Sequence, residues 1–204
     1  MAKLHPTLSA LLIIFGIGLP VLIGALTPGY DPLSDYLSEL GAAGAPNSVL
    51  MSYGVFLTAG LIWTASTFAF WRAQPGIITS VAAILLLGTA VSYIGAAFYP
   101  CDAGCPMEGS AAQDMHNTFG IVGYLATPPA LALAAAAFFA RGRKALGILS
   151  LAVCAAFISG FVLMIGDHGG SLMGLWQRLA DFSLFLWMAV TLPLLSRRAQ
   201  AAPP

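Results

Sequence analysis

Six long apolar segments constrain what this chain can fold into more than any other feature of its sequence. A transmembrane helix needs about 20 mostly apolar residues to cross the hydrocarbon core of a bilayer. Segments of that length, separated by short polar stretches, span 8–26, 48–71, 77–98, 118–140, 145–165 and 175–195. With 59% hydrophobic and 8% charged residues, the chain lacks the polar surface of a soluble protein. We therefore expect an all-α, six-helix integral membrane bundle, with residues 1–204 forming one transmembrane domain.

The two signs of charge are almost completely segregated along the predicted topology. On one side lie the basic residues Lys3, Arg72, Arg141, Arg143, Lys144, Arg197 and Arg198. On the other side lie all eight acidic residues, namely Asp31, Asp35, Glu39, Asp102, Glu108, Asp114, Asp167 and Asp181, together with a single basic residue, Arg178. By the positive-inside rule, both termini are predicted to be cytoplasmic and the acidic loops extracytoplasmic. We expect a bacterial cell (inner) membrane, and the pattern leaves open whether a periplasm or the open exterior lies outside.

With the charged residues sorted in this way, the central portions of the six segments carry no ionisable residue. Ion-coupled transporters, b-type haem proteins and retinal proteins need charged, histidine or lysine side chains there, so these classes are disfavoured. An uncoupled channel is disfavoured too, because the segments offer no polar path. Pro128 and Pro129 predict a kink or a short unwound stretch in the fourth helix.

The first acidic connection has the pattern of a short helix on the membrane surface. Asp31 suits the N-cap, Pro32 the first helical position and Gly41 the stop. Helical spacing would place Asp35 and Glu39 on one face, opposite the leucines of the segment. Two interpretations remain open, a lid with solvated carboxylates and a carboxylate site.

The second acidic connection contains Cys101 and Cys105, which we expect to form a disulfide in an oxidising compartment. Zinc binding by this pair is the less favoured alternative, because no second cysteine pair is present. Cys154 lies within the fifth apolar segment and is predicted to be a core residue.

Two histidines on the acidic side, His116 and His168, are the main candidates for chemistry. With Asp114 and Glu39 they could bind a divalent metal such as zinc, whose bound water would act as a hydrolytic nucleophile. Without metal, His116 could act as a general base while Arg178 holds a phosphate or carboxylate. The alternative is purely structural hydrogen bonding, with an ion pair between Arg178 and Asp181.

Four short motifs together resemble a known family. They are the stretch from Ser34 to Gly41, the turn from Tyr99 to Asp102, the triplet Met115-His116-Asn117, and the string from Gly174 to Arg178. The chain resembles the bacterial and archaeal membrane family known as domain of unknown function nine-nine-eight, over nearly its whole length. This resemblance implies six helices and no established activity.

The chain is distantly similar to one further family and departs from the pattern of another. It is distantly similar, through the segment 38–41, to the DRAM and FRAG type of eukaryotic six-helix proteins, one branch of which is linked to remodelling of lipid anchors. The alkaline ceramidase and adiponectin-receptor superfamily holds zinc with three histidines. This chain departs from that pattern, because only two of its histidines are on the acidic side.

The leading functional hypothesis is an extracytoplasmic polar pocket that binds or modifies a lipid or lipid-linked group, as in a metal-dependent hydrolase. Glu39, His116, His168 and Arg178 are its candidate catalytic residues. The rival hypothesis is a non-enzymatic accessory, structural or sensor protein. Membrane lipids are the expected partners and nucleic acid is not; protein partners, the substrate and whether the protein is an enzyme are left open.

Overall fold

Six helices cross the bundle in the part of the chain that the structure describes. The structure is a computed structural model that describes residues 4–201, with side chains described for residues 4–196. The helices long and apolar enough to span a membrane are α1 (Leu4–Leu26), α2 (Leu50–Ala73), α3 (Ile77–Phe98), α4 (Ala111–Ala140), α5 (Lys144–Gly166) and α6 (Met173–Ser196). The predicted all-α, six-helix membrane fold is thus confirmed, and the chain is a multi-pass membrane protein.

Each helix packs against its neighbours in sequence, and α1 closes the ring by packing against α6. The connections 27–49, 99–110 and 167–172 therefore meet at one end of the bundle, here called the acidic end. The connections 74–76 and 141–143 meet at the other, basic end. Which end faces the cytoplasm remains a prediction. Of the cations that support it, Lys3 lies outside the described residues, as do the side chains of Arg197 and Arg198.

Aromatic side chains from several helices fill the centre of the bundle. Trp63 packs edge-on against Phe185, with ring centroids 5.2 Å apart. The indole N–H of Trp63 donates to the Leu86 carbonyl at 2.8 Å, and that of Trp187 donates to the Ser150 hydroxyl at 2.9 Å. Since buried indoles need such partners, these bonds fix the register of α2 on α3 and of α5 on α6.

Glycine brings α3 and α4 close together. A Cβ atom at Gly88 would lie 2.7 Å from the Ala126 methyl group, and one at Gly123 would lie 2.7 Å from the Ser92 Cβ. These two glycines thus allow a backbone approach that no larger residue permits. This contact brings α4, which carries His116, against α3.

Several helix details differ from the sequence-based expectations. The structure has no unwound segment at Pro128 and Pro129, where α4 stays helical throughout. π-helical turns occur instead at Ile14–Gly18 in α1 and Leu50–Leu57 in α2. The start of α4 lies at Ala111 and not at residue 118, because the Ser110 hydroxyl caps the helix by accepting the Gln113 N–H. Apolarity marks where hydrocarbon begins, whereas the cap marks where the helix begins.

Candidate functional site

The first acidic connection folds inward over the end of the bundle, and only the last part of the predicted short helix forms, ending at Gly41 as expected. Only Leu37–Gly41 is helical, as a single 3₁₀ turn, and residues 32–35 form turns. Leu37 and Leu40 are each 2% exposed, whereas Leu33 is 48% exposed. The expected leucine face is therefore wrong in part: a full α-helix is replaced by a turn that inserts two leucines among the helix ends.

Arg178 of α6 fixes this connection to the bundle. One terminal nitrogen donates to the carbonyls of Pro32, Asp35 and Gly174 at 2.6, 2.9 and 2.8 Å. The other donates to the Tyr30 hydroxyl, over whose ring the guanidinium also lies. Burial raises the pKa of Tyr30 to about 12, because its effect is larger than the opposite effect of the nearby arginine. This hydroxyl is therefore protonated at neutral pH.

The predicted alternative of an Arg178–Asp181 ion pair is wrong, since the Arg178 guanidinium is hydrogen-bonded to the first acidic connection.

Glu39 caps the 3₁₀ turn. Its carboxylate accepts the Tyr36 N–H at 2.8 Å, and the Asp35 carboxylate accepts the Asp31 N–H at the same distance. Burial raises the pKa of Glu39, although the Tyr36 hydrogen bond acts in the opposite direction. The two carboxylates thus serve the local backbone and do not form a shared face.

The raised pKa of Glu39 predicts a pH-dependent response to its replacement. Because the folded pKa exceeds the ordinary value of 4.5, its contribution to stability is fully present below that value and is lost as pH rises through the folded pKa. Glu39→Gln keeps the capping acceptor without the buried charge. In mixed-micelle unfolding, we expect the stability of Glu39→Gln relative to the wild type to increase as pH rises above the ordinary value of 4.5. Glu39→Ala should lose about 0.5–2 kcal/mol at low pH, as expected for a lost cap, and this loss should shrink as pH rises. Equal pH profiles for wild type and Glu39→Gln would contradict this assignment.

A disulfide joins Cys101 and Cys105 in the second acidic connection. Next to it, the Asp102 carboxylate accepts both the N–H and the hydroxyl of Ser110, at 2.7 and 2.8 Å. These two bonds lower the pKa of Asp102. The connection is therefore tied at both ends to the start of α4, where His116 lies.

The two candidate histidines are held by different partners. His116 Nδ1 lies 2.9 Å from the Tyr99 carbonyl oxygen, which can only accept, so Nδ1 carries the proton. His168 Nδ1 lies 3.0 Å from the Tyr36 hydroxyl, and the two rings are stacked. Both histidines line one cavity, so the structure brings them to the same site.

The four predicted metal ligands do not come together. Among the described residues, the one group of three potential ligands within 4.8 Å of one another is Cys101, Cys105 and His116. Both sulfurs of that group are in the disulfide and therefore are not thiolate ligands. Glu39 is used in its cap and Asp114 is exposed. The donor set thus gives no support to a metal-bound water at this end of the bundle.

The cavity between α4 and α5 is the main feature of the acidic end. Its outer compartment has a volume of about 270 Å³. Polar walls come from Tyr36, Ser38, His116, Asn117, Tyr124, His168 and Gln177. Ile121 and Ile165, which are 53% and 52% exposed, also line it. The outer compartment therefore reaches the apolar surface of the bundle between these two helices.

An inner compartment of about 80 Å³ continues toward the centre of the bundle. It shares with the outer one the residues Ser38, His116, Gly120, Tyr124 and Gln177. At its far wall the Asp181 carboxylate accepts the Tyr124 hydroxyl at 3.2 Å. Asp181 is the ninth residue of α6, about 12 Å along the helix from its start. Asp181 therefore lies within α6, beyond the last acidic connection with which its charge groups it.

Sequence reasoning missed most of the residues that form the walls of the cavity. Tyr124 and Gln177 were not among the candidates, although Gln177 accepts the Leu37 N–H at 2.5 Å and so joins α6 to the first connection. A polar residue within an apolar segment was the available signal for Tyr124. For Asp181, that signal was its position six residues into the segment 175–195.

Comparison with known proteins identifies a family and no relative of assigned activity. No curated protein and no solved structure matches the chain at a significant level, so the similarity to DRAM and FRAG proteins remains a prediction. The family model described as "Protein of unknown function (DUF998)" matches residues 7–192. That range includes all three acidic connections and most of the helical bundle. The chain therefore belongs to the DUF998 family of multi-pass membrane proteins.

Proposed function

We propose that the cavity at the acidic end binds a membrane amphiphile, with its polar end inside the bundle and its apolar chain leaving between α4 and α5. The main observation behind this proposal is the opening at Ile121 and Ile165, where a cavity with several polar groups in its walls meets the apolar outer surface of the bundle. A ligand with both a polar group and a hydrocarbon chain fits both surfaces at once. A water-soluble polar ligand would make no favourable contact with the apolar opening. A plain hydrocarbon would leave the inner polar groups without hydrogen-bond partners.

The polar lining favours hydrogen bonding of the ligand. Tyr36, His116 and Gln177 are each held by a neighbour, so their orientation is fixed before a ligand binds. Such preorganisation lowers the entropic cost of binding. By the charge pattern along the chain, this end is extracytoplasmic, and the ligand would come from the outer leaflet. Binding is the proposed activity; it replaces the metal-dependent hydrolase as the favoured form of the lipid hypothesis.

Gly120 offers a direct test. It lines both compartments, and a Cβ at this position would meet nothing within 4 Å. Gly120→Leu should therefore fill the cavity without disturbing the helix packing. Gly166→Leu is the matched control, because its Cβ also meets nothing within 4 Å and it does not line the cavity.

Native mass spectrometry of protein released from an uncharged detergent measures the amphiphile retained from the membrane. We expect wild type and Gly166→Leu to carry the same adduct, and Gly120→Leu to lose roughly tenfold in occupancy, which corresponds to about 1.4 kcal/mol. Equal adducts in all three proteins, or none in the wild type, would overturn the proposal.

A further inference from the structure

The inner compartment contains an unusual set of acceptors for a site inside a membrane bundle. Its walls carry the Asp181 carboxylate and the hydroxyls of Ser92, Tyr93 and Tyr124. Neither compartment has a lysine or arginine among its described lining residues. A cationic head group would therefore meet no lysine or arginine in these walls.

Asp181 has no cationic partner of its own in the described structure. The hydrogen bond it receives comes from the neutral Tyr124 hydroxyl. Arg178 lies one turn earlier on α6, but its terminal nitrogens are bonded to three carbonyls and to Tyr30. A carboxylate away from water is costly unless a positive group pairs with it. A cation entering the compartment would meet this need.

The Tyr93 hydroxyl is a second, independent sign of a missing group. It is buried and has no hydrogen-bond partner within the described part of the chain. Buried hydroxyls are nearly always bonded, and this one lines the same compartment as Asp181. A donor placed between Asp181 and Tyr93 would satisfy both.

Aromatic rings surround the same space. Phe56, Tyr93 and Tyr124 line the inner compartment, and the Phe56 and Tyr93 rings meet edge to face with centroids 5.9 Å apart. Ring faces attract a cation, more strongly where water is excluded. The volume of about 80 Å³ suffices for a small head group with several waters, since one water needs about 10–15 Å³.

From these observations we infer that the bound amphiphile carries a protonated amine, whose ammonium group occupies the inner compartment against Asp181, Tyr93 and Tyr124. A primary ammonium supplies three N–H donors for the acceptors there. The inference rests on the proposed amphiphile binding and adds the chemical class of the head group. The acidic residues of the surrounding connections favour the approach of such a cation.

The test measures binding of two probes with the same chain, dodecylammonium and 1-dodecanol, by native mass spectrometry. We expect the wild type to bind dodecylammonium about tenfold more tightly than dodecanol. Asp181→Asn keeps the size of the side chain and an acceptor for Tyr124, and it should remove this preference while dodecanol binding stays. Tyr93→Phe should weaken the preference by roughly threefold, for loss of one hydrogen bond.

Asp114→Asn is the control for charge alone, because Asp114 is an exposed acidic residue in the first turn of α4, at the acidic end of the bundle. This variant should keep the wild-type preference for dodecylammonium. No preference for dodecylammonium in the wild type, or a preference that survives unchanged in Asp181→Asn, would overturn the ammonium assignment. Gly120→Leu separates the two proposals. If Gly120→Leu binds neither probe, amphiphile binding in the cavity is supported whatever the result for Asp181→Asn. If Gly120→Leu binds dodecanol as the wild type does, amphiphile binding in the cavity is refuted.

Discussion

Arg178→Met is expected to lower the free energy of unfolding by about 3 kcal/mol, because each hydrogen bond to a charged group contributes about 1.5–3 kcal/mol. The guanidinium makes four such bonds, to the carbonyls of Pro32, Asp35 and Gly174 and to the Tyr30 hydroxyl. Some of this loss is recovered where water reaches the freed carbonyls. The variant should also weaken amphiphile binding, since the residues following Asp35 include two walls of the cavity, Tyr36 and Ser38.

Two further variants make this prediction specific. Arg178→Lys keeps the charge, but an ammonium lacks the planar fork that serves several acceptors, so it should recover only part of the stability. Arg72→Met removes an exposed arginine at the basic end and should change stability by less than about 0.5 kcal/mol. Unfolding in detergent and sodium dodecyl sulfate mixtures gives all three values. Equal losses for Arg178→Met and Arg72→Met would show that Arg178 does not hold the connection in place.

Gly160→Ala is expected to destabilise the bundle by about 1–3 kcal/mol or more through overpacking. A Cβ at Gly160 would lie 2.6 Å from the Trp176 carbonyl oxygen and 2.8 Å from the Ala180 nitrogen. Both are backbone atoms of α6, which cannot rotate away as a side chain could. The two helices would have to separate beside Asp181, so ligand binding should fall together with stability.

Gly120→Ala is the matched control for Gly160→Ala. Both replace a glycine within a long helix by alanine, and the Cβ at Gly120 meets nothing within 4 Å. Alanine is favoured over glycine in a helix by up to about 1 kcal/mol, so this variant should be unchanged or more stable. If Gly160→Ala were as stable as Gly120→Ala, the close contact of α5 with α6 would be wrong.

The six helices could be predicted from sequence because hydrocarbon imposes a simple requirement, about 20 apolar residues in each crossing. The ends of the helices could not be predicted with the same criterion. Ser110 caps α4 well before the apolar stretch begins at residue 118. The π-helical turns of α1 and α2 have no signal in the apolar pattern that was used.

The candidate site was predicted only in part, for a reason visible in its residues. Sorting residues by charge and by connection identified His116 and His168, and both line the cavity. The same sorting assigned Glu39 and Arg178 to chemistry, whereas both bind backbone groups that only the fold of the first connection brings to them. It also grouped Asp181 with the last acidic connection, although residue 181 lies within the apolar segment 175–195, because hydropathy averages hide one carboxylate among apolar neighbours. Which polar residues line the same cavity depends on how each helix is rotated and packed. Composition contains no information on either.

An experimental structure in lipid nanodiscs is the most direct test of amphiphile binding. We expect elongated density that enters between Ile121 and Ile165, passes Gly120 and ends with its polar group near Gln177 and Asp181. A cavity closed between α4 and α5, or one that holds only water, would contradict it.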